Sequence, residues 1–235
     1  MFKLIYLYHN FHLNKISISF ILISSLIIFF AIYSNTEIDI NNLTDLRNFY
    51  SIKSNFISDT YNILEIIISM FVVILSFMEL YNNSHLFDVV LIARNNKIKV
   101  LAAKLISYLS IIIFYNTFIF SIVFLIAVSL FQEVSLFNQI FNLYLYSITT
   151  SIFTLLLSLI CLNLFRNYFA SFTILLVVII KRIALETEQD LLTKIIPYFN
   201  LTNYTITISN IQIVSYSVLL LIISFVIFKF KDIKT

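Results

Sequence analysis

The chain has 235 residues, 60% of them hydrophobic and only 11% charged, with a net charge of +3 and a mean hydropathy of +0.98. Soluble domains average roughly 45–50% apolar and about 25% charged residues, so in water this chain would expose apolar patches that soluble monomers rarely carry. Glycine is absent, which excludes a Gly-rich phosphate loop, a dinucleotide glycine fingerprint and a glycine-based helix-dimer motif; the single cysteine, Cys161, excludes intrachain disulfides and thiolate metal clusters and reads as a small buried hydrophobe.

The first element is residues 2–13. Leu4, Leu7, Tyr8 and Phe11 share one face of a helix, and Lys3, His9, Asn10 and His12 populate the rest. That mixture suits a helix lying in the headgroup region of a membrane. His9 and His12 stand at i, i+3, but no acid lies in the first 36 residues, so they read as part of the polar face and not as metal ligands.

A membrane-crossing helix needs about 20 predominantly apolar residues. Windows of this kind fall at 16–33, 61–79, 105–131, 140–165, 168–182 and 211–228. The fifth is the shortest and ends on Lys181 and Arg182, which must snorkel to the interface. Backbone groups in lipid must be satisfied within the segment, and these runs are apolar on every face. The fold class expected is therefore all-α, with six transmembrane helices, an N-terminal interfacial helix and a cytoplasmic coupling helix between spans two and three.

Residues 34–60 and 183–210 are polar, and the second stretch contains Pro197, the one proline. Both have loop composition. Segment 132–139 reads as a short loop carrying Glu133. Segment 80–104 is mixed. Within it Leu86, Val89, Val90 and Ala93 recur at helical spacing, ringed by Asp88, Arg94, Lys97, Lys99 and Lys104.

Lys and Arg concentrate on the cytoplasmic side of membrane proteins. Six spans place both termini and segment 80–104 on one side. That side carries Lys3, Lys15, Arg94, Lys97, Lys99, Lys104, Arg166, Lys229, Lys231 and Lys234. The other side carries Arg47, Lys53, Lys181, Arg182 and Lys194, with most of the acids. The termini are therefore expected in the cytoplasm, and 34–60 and 183–210 outside.

Ionisable groups within spans mark function. Here they are nearly missing: Glu65 lies near the outer end of the second window, and Asn116 and Asn163 are uncharged. Nothing resembles a carboxylate pair, a proton relay or a nucleophile beside its base. An intramembrane enzyme is thus disfavoured, unless Glu65 and Glu133 meet beside a cavity. No catalytic residue, cofactor, metal or nucleic-acid partner is expected.

Segment 80–104 also carries a resemblance. The chain resembles permease subunits of ABC-2 type transporters, the membrane half of ATP-driven exporters. Asp88 stands at that family's acid position, Val89, Val90 and Leu91 at its leucine run, Asn95, Asn96 and Lys97 at its turn, and Lys104 at the lysine opening span three. Pro197 in IIPYFNLTNY and the exit FKFKDI at 228–233 are similar to two further family elements. Arg94, His85 and Ala103 depart from it, standing where proline, glycine and glycine are usual. The resemblance implies a non-catalytic membrane subunit, a separate ABC ATP-binding subunit docked on Leu86, Asp88, Val89, Val90, Leu91, Arg94, Lys97 and Lys104, and a second permease chain. Its cargo would be amphipathic, such as a peptide. The alternative is a stand-alone membrane accessory or immunity protein without an ATPase partner.

Overall fold

The computed structural model describes residues 1–13, 15–41, 46–81, 84–131, 136–165, 179 and 208–230. Among these, every element is helical: α1 (Phe2–His12), α2 (Lys15–Asn41), α3 (Leu46–Tyr81), α4 (Ser84–Arg94), α5 (Lys97–Phe131), α6 (Leu136–Phe165) and α7 (Ile208–Phe230). Many of these residues are isoleucine or phenylalanine, β-branched or aromatic types that favour strands in water. In hydrocarbon the helix is favoured because it closes every backbone hydrogen bond within the segment.

Four helices among the described residues are long and apolar enough to cross a membrane, through Ile16–Ser34, Asn55–Met78, Lys97–Phe131 and Leu136–Leu162. A shorter apolar stretch, Val214–Ile227, lies in α7. The span expected at 168–182 falls outside the described residues except for Ile179, as do Glu133 and Pro197.

Helix α5 is the hub, packing against α1, α2, α3, α4, α6 and α7. Its 35 residues span about 52 Å at 1.5 Å per residue, more than the ~30 Å of a hydrocarbon core. Tyr108, Ile111, Ile112, Tyr115, Ile119 and Val123 form its buried stripe, each at most 1% exposed. Outside the stripe, Ile106, Ile113, Phe114 and Leu125 are exposed. Helix α2 repeats the arrangement, with Ile21, Ser24, Ile28 and Ile32 inward and Leu22, Ile23, Leu26, Ile27 and Phe30 outward. An outer surface this apolar matches a lipid environment.

Hydroxyls knit the interior. The Tyr115 hydroxyl donates to Ser24 Oγ at 2.9 Å, joining α5 to α2. Ser158 donates to Ser76 at 2.7 Å, joining α6 to α3. Ser147 donates to Asn116 Oδ1 at 2.7 Å, joining α6 to α5, and the Asn116 amide also reaches the Ile112 carbonyl. Such bonds between membrane helices contribute about 0.6 kcal/mol each on average.

Four expectations change. The span expected at 105–131 belongs to a helix that already begins at Lys97, so the segment 80–104 ends inside α5, with Lys104 in its second turn. Residues 34–60 are not a plain loop: α2 runs on to Asn41 and α3 starts at Leu46. Ile52, Phe56 and Ile57 supply a buried face among polar neighbours, and Phe56 meets Phe131 edge-on at 5.3 Å. Helix α6 begins at Leu136 rather than 140, because Leu136 and Ile140 both pack inward. His12 is not on a polar face: it is fully buried and stacks on Tyr108 at 4.0 Å.

Candidate functional site

The end of the bundle near the chain's start gathers α1, α4 and the first turns of α5. A small apolar cluster of Leu4, Tyr8, Leu91, Val100 and Ala103 joins the three helices, with Ile5, Leu7 and Ile92 at its edge. Leu4 and Tyr8 stand at i, i+4, so α1 turns one stripe inward and leaves Phe2, Lys3 and Tyr6 exposed. Ala103 is fully buried under this contact, and its small side chain lets α1 approach α5 closely.

A polar triad closes the cluster. Lys104 Nζ lies 2.7 Å from Asp88 Oδ2, and both side chains are nearly excluded from solvent. The other carboxylate oxygen, Oδ1, accepts a hydrogen bond from the Tyr8 hydroxyl at 2.5 Å. The Lys104 ammonium also sits 5.9 Å from the centre of the Tyr8 ring. One carboxylate is thereby satisfied by two helices, which is the condition for burying a charge without a large penalty. The triad fixes α1, α4 and α5 as one unit.

The connection between α4 and α5 is two residues long and made without glycine. Asn95 donates from Nδ2 to the Leu91 carbonyl at 3.1 Å, closing α4. Asn96 Oδ1 accepts from the Ile98 amide at 3.0 Å, an N-cap for α5. The two asparagine side chains replace the backbone freedom that glycine usually supplies at such turns.

The predicted docking residues divide accordingly. Asp88 and Leu91 of α4 and Lys104 of α5 are buried where α1, α4 and α5 meet. Val89 and Lys97 are half-buried, and Val90 is 55% exposed. Leu86 and Arg94 belong to α4, but their side chains lie outside the described residues. Of the expected apolar stripe, Val90 and Ala93 are exposed and Val89 is half-buried, so these three do not form the packed face. The inward face runs through Asp88 and Leu91 because Tyr8 and Lys104 draw the carboxylate in. The spacing from Leu4 places Tyr8 on the correct face of α1; its partner 80 residues away is not legible in the sequence.

The exposed surface of this end is mixed apolar and cationic. Val90, Ala93, Asn95, Asn96, Ile98 and Lys99 are all exposed along α4, the turn and the first turn of α5. His9 lies 3.4 Å from Ser110 through Nδ1, so both histidines of α1 engage α5. Glu65, on α3, accepts from the Tyr61 hydroxyl at 3.2 Å and is half-buried. Among the described residues no group of three or more His, Cys, Asp or Glu side chains is disposed to hold a metal.

Comparison with known proteins adds no relative: no family model, no curated protein and no solved structure matches the chain.

Proposed function

We propose that the chain is the permease subunit of an ABC-2 type exporter, with six spans, the fifth at 168–182, and both termini in the cytoplasm. The reading rests on the resemblance of segment 80–104 and on the mechanics of the α4–α5 connection. A permease driven by a separate ATPase must convert a push on a soluble surface into movement of a span. That requires a short helix joined stiffly to the span it moves. Here the Asp88–Lys104 pair, 2.7 Å apart and buried, ties α4 to α5 across a two-residue turn. This is the observation that carries the proposal.

The ATP-binding subunit then meets the outward face of α4, through Val90, Ala93, Ile98 and Lys99, and not through Asp88. Asp88 and Lys104 transmit the push by holding α4 against α5. In this reading the ATP is hydrolysed by the separate subunit, since a chain without glycine has no phosphate loop of its own. Two permease chains form the pathway, and the cargo is amphipathic, such as a peptide. Inverted membrane vesicles containing the chain and its ATPase should take up a labelled hydrophobic peptide only with hydrolysable ATP. Uptake that is unchanged without ATP, or without this chain, rejects the reading.

A further inference from the structure

A second feature lies toward the other end of α5, independent of any transport role. Helices α5 and α6 leave a lateral groove there of about 220 Å³. Phe120 and Phe124 of α5 and Phe137, Ile140 and Phe141 of α6 form its walls. The rings make one aromatic surface: Phe124 meets Phe137 edge-on at 5.6 Å, and Phe137 stacks on Phe141 at 6.0 Å. Phe120 and Ile140 are buried at its floor, while Phe137 and Phe141 are each 46% exposed at the rim.

The polar groups in the groove are already engaged within the protein. Thr117 Oγ1 donates to the Ile113 carbonyl and lies 2.9 Å from the Tyr144 hydroxyl. Ser121 Oγ donates to the Thr117 carbonyl at 2.8 Å. Among the described residues, no charged side chain lines the groove. The hydroxyl protons of Thr117, Ser121 and Tyr144 are all used within the protein, so the acceptor oxygens of a peptide, a sugar or a headgroup would find no free side-chain donor among the described residues that line the groove, and burying unbonded polar groups is costly. An alkyl chain brings none. An apolar cavity of roughly 150 Å³ accepts a benzene ring, so this space takes a longer hydrocarbon segment but not a second helix about 10 Å wide. Both walls belong to helices apolar enough to cross a membrane, where hydrocarbon chains are the surrounding solvent.

We infer that this groove is a binding site for one acyl chain of a membrane lipid, held against the Phe124–Phe137–Phe141 surface. The chain contains no tryptophan, so Phe141→Trp creates a single tryptophan reporter at the rim. The purified full-length protein in detergent is titrated with a phosphatidylcholine dibrominated on one acyl chain, whose bromines quench tryptophan on contact. The control is Phe30→Trp, on the outer surface of α2, a helix that takes no part in the groove. Quenching at position 141 should saturate near one lipid per chain, and Ser121→Leu, which fills the groove, should weaken it by about tenfold or more. Quenching at position 30 should rise without saturating. A signal at position 141 that follows the course at position 30, or that Ser121→Leu leaves unchanged, overturns the inference. So does shielding of the reporter at position 141 that grows with protein concentration, since a second copy would then occupy the groove. If Phe141→Trp fails to fold, Phe137→Trp provides the same readout from the neighbouring ring.

Discussion

Lys104 and Asp88, sixteen residues apart, meet at 2.7 Å with both side chains buried, and the contact lies on the route from the α4 surface to the α5 span. Breaking a buried pair leaves one charge uncompensated, which costs about 3–5 kcal/mol when burial is complete. Lys104→Met and Asp88→Asn should each lower the unfolding temperature of the detergent-purified protein by several degrees. The exchange Asp88→Lys with Lys104→Asp should recover most of the loss, because the pair re-forms reversed. Additive losses in the exchanged protein would show that the pairing is not what stabilises this end.

Tyr8 contributes two separable effects, its ring and its hydroxyl. Tyr8→Phe keeps the ring against Leu91, Val100 and Ala103 and removes only the bond to Asp88. Hydrogen bonds to charged groups contribute about 1.5–3 kcal/mol, so the loss should be of that order. Tyr8→Ala also empties the buried ring site and should cost about 3–5 kcal/mol. Hydrogen exchange resolves the difference: α1 amides should exchange moderately faster in Tyr8→Phe and much faster in Tyr8→Ala. Equal exchange in the two variants would show that the hydroxyl alone holds α1.

Much of this end is legible in the sequence, and the limits have a physical cause. The apolar windows of α2, α3, α5 and α6 follow from length and composition, which is what the bilayer selects on. The face of α1 follows from the spacing of Leu4 and Tyr8. The inward face of α4 does not follow. Its stripe through Val89, Val90 and Ala93 has helical spacing, but spacing ranks faces by apolarity and cannot weigh a partner from elsewhere in the chain. In the sequence Asp88 reads as one of the charges ringing the stripe and as a docking residue; only the fold brings up Tyr8 and Lys104 to supply its two bonds. The polar stretch 46–60 likewise hides Ile52, Phe56 and Ile57, whose burial depends on helices from elsewhere in the chain packing against α3, with Phe131 of α5 set against Phe56.

The turn between α4 and α5 makes a narrower prediction. Asn96 caps α5, and replacing an N-cap asparagine by alanine costs about 1 kcal/mol. Asn96→Ala should therefore destabilise modestly, and Asn96→Asp should be close to neutral. Transport should fall further than stability in Asn96→Ala, since a frayed first turn loosens the lever. Thermal unfolding and ATP-driven uptake measured on the same preparations separate the two effects.

The outward face of α4 should behave oppositely to its buried face. Val90 and Lys99 are exposed, and surface substitutions usually change stability by no more than about 0.5 kcal/mol. Val90→Asp and Lys99→Glu should leave the unfolding temperature unchanged. Both should abolish ATP-driven uptake, because they place acids on a face whose described exposed side chains are apolar, amide or, at Lys99, cationic.

Affinity purification of the tagged chain from its native membranes in mild detergent tests the central claim most directly. An ATP-hydrolysing subunit should co-purify in near-equal amount with the wild-type chain and be lost from Val90→Asp, whose own fold stays intact. A chain that purifies without any ATPase, or that retains one equally in Val90→Asp, would contradict the assignment of α4 as the docking lever.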